Sequence, residues 1–260
     1  MTTPGATRRV PPFGGFSPVF LGLEIRRMLR NRRTIVFTLV VPPVFYLLFG
    51  GLSGANRIQP DGVGNVSAYI MISFAVYGSM FANTSAGASV AVERAWGWSR
   101  QLRLTPLNPV AYFATKLITA MVESAVSVAI VFAVGALGGA AMPGWVWLVS
   151  GLVAWVAGLV FAAFGLFLGY LMPSENVMQF IGPILALFAV MGGIFVPLSD
   201  LSSTLRSLAT FTPAYGVGNL ARAALLGTGV DAGAILNVVA WTALFAVGAV
   251  WLFRRDTARV

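Results

Sequence analysis

Long apolar stretches with almost no charge in them constrain this chain more than anything else it carries. Six are read from hydropathy: Thr34–Gly50, Val66–Ala91, Val110–Leu137, Trp145–Leu171, Val177–Val196 and Gly233–Phe253. Each approaches or exceeds the ~20 residues that cross ~30 Å of hydrocarbon at ~1.5 Å per residue. Inside lipid every backbone N–H and C=O must be satisfied within the protein, so helices are expected. The short alternating segments of a membrane β-barrel are absent from the pattern. Composition points the same way: 58% of the 260 residues are hydrophobic and 10% are charged. A soluble domain of this length has too little interior to hide that much apolar surface. The expectation is an all-α membrane protein with six transmembrane helices.

The net charge of +9 is not spread evenly. With the N-terminus placed in the cytoplasm, Arg8, Arg9, Arg26, Arg27, Arg30, Arg32 and Arg33 precede the first span on the inside. Arg94, Arg100, Arg103 and Lys116 lie inside between spans two and three, and Arg254, Arg255 and Arg259 follow the last span. Only Arg57, Arg206 and Arg222 fall outside. Positive residues accumulate on the cytoplasmic side of membrane proteins, so both termini are expected in the cytoplasm of a multi-pass plasma-membrane protein. Nucleic acid is not an expected partner, because its basic patch needs these arginines on one folded face. The chain divides into a disordered arm at 1–16, an amphipathic interfacial helix at 17–33, the transmembrane domain at 34–253 and a cytoplasmic tail at 254–260. The arm is rich in Pro, Gly and Thr and does not read as a cleavable signal peptide.

Chemistry is sparse. There is no cysteine and no histidine, which removes thiolate nucleophiles, imidazole acid–base catalysis and the commonest metal ligands. The eight carboxylates are scattered. Lys116 is the sole lysine and stands between Thr115 and Leu117, so no phosphate-binding loop with a lysine behind a glycine exists. No catalytic residue, metal site or bound cofactor is expected.

Several segments are informative. Ser17–Arg33 sets Val19, Phe20, Leu23, Ile25 and Leu29 against Glu24, Arg26, Arg27 and Arg30. That pattern suits a helix lying in the membrane interface, either as an anchor or as an elbow that also touches a cytoplasmic partner. Pro42-Pro43 inside span one predicts a kink. The stretch VERAWGWSRQLRLTPLNPVAYFATK carries Glu93, Arg94 and Gly97, then Arg100, Leu102, Arg103, Thr105 and Pro106. A short interfacial helix between two bends suits it, with Arg100 and Arg103 turned to something acidic. Span two bears Tyr69, Ser73, Tyr77, Met80 and Thr84 on one face with Asn83 beside it, which fits either a pathway for amphiphiles or packing. Span three carries a polar stripe of Thr119, Glu123 and Ser127. An acid costs at least ~2.5 kcal/mol in lipid, so Glu123 should face protein or water, as a substrate contact or as a structural partner. Span four has a stripe of small residues, Gly151, Ala154, Gly158, Ala162, Gly165 and Gly169, which reads as a helix-packing seam within or between subunits.

The stretch ERAWGWSRQLRLTPLNPVAYFATK resembles the cytoplasmic loop of type-2 ABC transporter permeases, where Glu-Arg, a glycine and Leu-Arg-x-Thr-Pro-Leu recur. GGIFVPLSDLSSTLRSLATFTPAYGVGNLARAAL, from Gly192 to Leu225, is similar to that family between spans five and six, and VVPPVFYLLFGG fits its first span. The chain looks most like the small drug- and antibiotic-export permeases typified by daunorubicin-resistance exporters. The resemblance implies a coupling helix in Glu93–Pro106, docked on a separate ATP-binding subunit present in two copies that holds ATP and Mg. It also implies a second permease chain, as a homodimer or heterodimer, and short re-entrant extracellular helices between spans five and six. The expected function is ATP-driven export of a small amphiphilic drug, antibiotic or lipid-like molecule, with antibiotic resistance or multidrug efflux as its outcome. Export of a lipid or polysaccharide precursor is the alternative. A membrane-embedded enzyme needs convergent carboxylates that Glu123 alone does not supply. An ion-coupled secondary transporter needs internal repeats with matched breaks, and none is seen.

Overall fold

The computed structural model describes residues 16–52, 62–97 and 109–257. Among them the chain is helical. Helix α1 (Pro18–Arg30) opens on Ser17, whose hydroxyl accepts from the Phe20 N–H at 3.4 Å, with Pro18 in the first turn and Arg27 and Arg30 in the last. Those are the residue types that the unpaired N–H groups and the helix dipole favour at each end. After Asn31 a short helix α2 (Arg32–Ile35) runs into a π-helical segment (Val36–Val40) and then α3 (Val41–Leu52). Next come α4 (Val66–Ala95), α5 (Pro109–Leu137), α6 (Gly144–Ala157), α7 (Leu159–Leu171) and α8 (Ser174–Met191). A 3-10 turn at Leu198–Asp200, α9 (Ser203–Ala209), α10 (Pro213–Leu226) and α11 (Ala232–Thr257) complete the described chain.

Among the described residues five helices are long and apolar enough to cross a membrane: Val66–Ala95, Ala111–Leu137, Gly144–Leu171, Ser174–Met191 and Ala232–Arg255. The first expected span is shorter and less regular, an apolar helix over Val36–Gly50 containing the π-helical segment. The cause lies partly in Pro42, which has no N–H to offer the carbonyl of Thr38 four residues earlier. That carbonyl accepts instead from the Ser127 hydroxyl of α5 at 2.8 Å. The fourth stretch is interrupted at Gly158, between α6 and α7. The fifth ends at Met191, because Gly192 and Gly193 turn the chain, Gly193 with φ +75°.

Helix α4 is the axis of the bundle. Its most apolar 18-residue window is 78% buried, against 11% for α11. Small residues allow this. A Cβ on Gly87 would meet the Ala162 carbonyl at 2.6 Å, and one on Gly165 would run into the Thr84 carbonyl. The span-four stripe is therefore a seam within this chain, with Gly158, Gly165 and Gly169 against α4 and Gly151 against Phe132 of α5. The far end of α4 is tied down by polar pins. The Asn65 side chain accepts from Ala68 N–H and Ala141 N–H, both at 2.9 Å, and donates to the Gly139 carbonyl at 2.7 Å. The Tyr46 hydroxyl sits 2.7 Å from the Ser67 hydroxyl. On α11, Leu236, Val239 and Val247 are exposed, the surface that acyl chains or a partner helix would cover.

Candidate functional site

A cavity of about 870 Å³ opens beside α1 and runs between the π-helical segment, α4, α5 and α8. It extends from the level of Glu93 to that of Phe81, about 18 Å along α4 at the helical rise. One end is charged, with Glu24, Arg26, Arg27, Arg30, Glu93 and Lys116 in its lining. Its walls farther in are Phe37, Phe81, Met178, Ile181 and Pro183, and Glu123 and Thr119 enter from α5. Phe37 and Phe81 stack, with ring centroids 5.6 Å apart.

At the charged end, an ionic network joins three helices. The Lys116 ammonium of α5 lies 2.6 Å from Glu24 Oε2 of α1 and also pairs with Glu93 Oε1 of α4. Arg27 Nη1 reaches Glu93 Oε1 at 3.3 Å and Glu24 Oε1 at 3.7 Å. The Tyr112 hydroxyl donates to Glu93 Oε2. Glu24, Glu93, Lys116 and Tyr112 are all buried, so two carboxylates are matched by one lysine and a half-exposed arginine. Buried charges survive when paired and hydrogen-bonded in this way. Beside the network, Arg94 donates to the Gly169 carbonyl at 3.0 Å and lies over the Tyr170 ring. Arg27 lies over Trp96 at 5.7 Å.

Deeper in, the Thr38 hydroxyl donates to Glu123 Oε1 at 3.0 Å. Glu123 is 3% exposed, and among the described residues no cation pairs with it. Two members of the α5 stripe thus serve the proline-broken segment, Glu123 through Thr38 and Ser127 through the Thr38 carbonyl. Thr119 donates to its own helix, at the Thr115 carbonyl.

The opposite end of α4 holds Arg222 of α10, 4% exposed. It donates to Ser73 Oγ at 3.1 Å and to the Gly193 carbonyl at 2.8 Å, and its guanidinium lies 4.8 Å from the Tyr69 ring centre. Tyr77 packs on Phe195 with centroids 4.8 Å apart. Asn83 donates to the Ser79 carbonyl at 2.9 Å. Tyr69, Ser73, Tyr77 and Asn83 therefore make their contacts within the bundle and do not line the cavity. The α4 face toward the cavity is instead Phe81, Ser85, Ser89 and Val92, at spacings of three and four.

Of the residues marked for contact with a partner, Glu93 and Arg94 are engaged within the chain, and Gly97 ends the described segment with φ +70°. Arg100, Leu102, Arg103, Thr105 and Pro106 lie outside the described residues, as do residues 1–15 of the arm expected at 1–16. On α1, Arg26, Arg27 and Arg30 are exposed alongside Val19 and Leu23, while Glu24 turns inward. Glu24, Tyr112, Lys116 and Arg222 did not stand out as site residues in the sequence. The signals for the last two were a lone lysine and an arginine inside an otherwise apolar helix.

Comparison with known proteins agrees with this architecture. The model of the ABC-2 family transporter proteins matches residues 60–255, and the chain belongs to that family. It is also 27% identical over 238 residues to a Bacillus subtilis (strain 168) protein named "Putative transport permease YvfS", covering 90% of this chain and 96% of that one. It is thus a membrane subunit of ABC transporter type, a class whose ATP-binding function resides in a partner subunit.

Proposed function

We infer that the chain is the membrane half of an ABC exporter that moves a small amphiphilic drug, antibiotic or lipid-like molecule outward across the plasma membrane. Six spans cross the bilayer, the helix over Val36–Gly50 being the first, with both termini in the cytoplasm. Helix α1 lies in the inner interface, and α9 and α10 dip into the outer leaflet. Two permease chains pair with two ATP-binding subunits, which hold ATP and Mg.

The observation that carries this reading is the ionic network. Glu93 precedes the stretch 98–108, and Tyr112 and Lys116 follow it, so both flanks of that stretch meet Glu24 and Arg27 of α1 in one buried cluster. A push on the coupling segment by the ATP-binding subunit would reach α1, α4 and α5 together, and these helices wall the cavity. Packed helix interfaces of this kind hold discrete arrangements and do not deform continuously, which suits a two-position device.

Copurification tests the assignment. The tagged chain, extracted from its native membrane in mild detergent, should bring an ATP-binding subunit in near-equal amount. Arg103→Glu should reduce that recovery severalfold while leaving the unfolding midpoint of the chain unchanged. Undiminished recovery with Arg103→Glu would remove the coupling role from this segment. Glu93→Arg is the poorer test, because it puts a cation beside Lys116 inside the fold.

A further inference from the structure

We propose that the cavity beside α1 takes a cationic amphiphile, with an ammonium head group against Glu123 and an apolar body along Phe37, Phe81 and Ile181. The inference rests on the transport reading above and names the substrate class of the same cavity.

Charge accounting along α5 leads to it. Lys116 and Glu123 stand seven residues apart on one helix and both line the cavity. Lys116 is committed to Glu24 and Glu93. Glu123 receives one hydrogen bond, from Thr38 to Oε1, and Oε2 has no donor from the described protein. An acid in apolar surroundings is stable as an anion only beside a cation. Among the described residues none stands at this depth, so a cation that takes up the place beside Glu123 enters through the cavity.

The remaining lining suits the rest of such a molecule. The stacked Phe37–Phe81 pair offers aromatic surface, which attracts organic cations and alkyl or ring systems alike. Ile181, Met178 and Pro183 of α8 complete an apolar wall. An anionic head group would set a second negative charge against Glu123, and a neutral one would leave the acid as it stands. Arg26 and Arg30 at the mouth are exposed and meet anionic lipid head groups in the interface, so they do not define what goes deeper.

The test uses three fluorescent probes with one dansyl group and one twelve-carbon chain, ending in a primary amine, its N-acetyl derivative or a carboxylate. Saturable binding to the full chain in lipid nanodiscs is measured against empty nanodiscs. The amine should bind at least about tenfold more tightly than either companion, as expected of a charge-assisted contact in a dry site. Glu123→Gln, which keeps the side-chain volume and an acceptor for Thr38, should erase that preference at an unchanged unfolding midpoint. Equal binding of all three probes by the unaltered chain overturns the proposal, as does preference for the carboxylate or absence of saturable binding. If Glu123→Gln fails to fold, the ranking of the three probes on the unaltered chain still decides. Recovery of the ATP-binding subunit, scored on the same preparation, separates failure of this inference from failure of the exporter reading. A chain that assembles with its ATPase yet shows no preference for the amine refutes the cationic cargo alone.

Discussion

The two ends of α4 hold buried charge in opposite ways. At Glu93 acids and bases balance: Glu24 and Glu93 face Lys116 and Arg27, with Tyr112 closing the remaining carboxylate oxygen. Twenty residues earlier, about 30 Å along the helix, Arg222 is held by a hydroxyl, a carbonyl and an aromatic ring, with no carboxylate among its described partners. The first arrangement joins three helices through charges that depend on one another. The second pins α10 and the Gly193 turn to α4 through neutral dipoles that survive separately. Removing one member should therefore cost more at the balanced end than at the unbalanced one.

Lys116→Met should give the largest effect. It leaves Glu24 and Glu93 buried together with only a half-exposed arginine to share, and breaking a buried pair from one side costs about 3–5 kcal/mol. The expected result is a marked fall in unfolding midpoint in detergent, with loss of the ATP-binding subunit on purification. Restoration of the midpoint by adding Glu93→Gln would show that the uncompensated carboxylate, and not lost packing, was responsible.

Arg222→Met should cost less, about 1–3 kcal/mol for a buried carbonyl left without its donor, offset by relief from burying a cation. The Ser73 hydroxyl can turn to a carbonyl of its own helix, so only the Gly193 carbonyl is left without its partner. The same detergent and midpoint measurement makes the comparison direct. A fall equal to that of Lys116→Met would mean that charge balance is not what separates the two ends.

This contrast marks where the sequence could be read and where it could not. Five long apolar helices were legible because crossing a bilayer demands length and apolarity, both local properties of the chain. The seam was legible as small residues at helical spacing, but a glycine says only that something comes close. That the neighbour is α4, with Gly87 facing Gly165, needs the packed bundle. Glu24 and Lys116 are separated by 92 residues and read singly as an interfacial acid and a loop cation. Their pairing follows from how α1 docks, which no local pattern encodes. Arg222 counted as one of few positives expected outside, and its burial depends on α10 folding back against α4. For the segment 98–108 the family resemblance remains the source of its assigned role.

Between the two ends lies a smaller case in which the sequence showed the cause and the structure the remedy. Pro42 deprives the Thr38 carbonyl of a helical donor, and Ser127 of α5 supplies one at 2.8 Å. If that is why Ser127 sits there, the two positions must be coupled. Ser127→Ala alone should destabilise by about 0.6 kcal/mol and at most about 1.7, the range for hydrogen bonds between membrane helices. With Pro42→Ala in place, the backbone N–H returns at position 42 and the carbonyl regains a candidate partner within its own helix. Ser127→Ala should then cost less in that background, a non-additivity that a double-mutant cycle on unfolding midpoints reads directly. Strict additivity would mean that the Ser127 hydroxyl serves the Thr38 carbonyl for a reason unconnected with the proline. The irregular segment between α2 and α3 would then owe its shape to its contacts with α4 and α5 and not to Pro42.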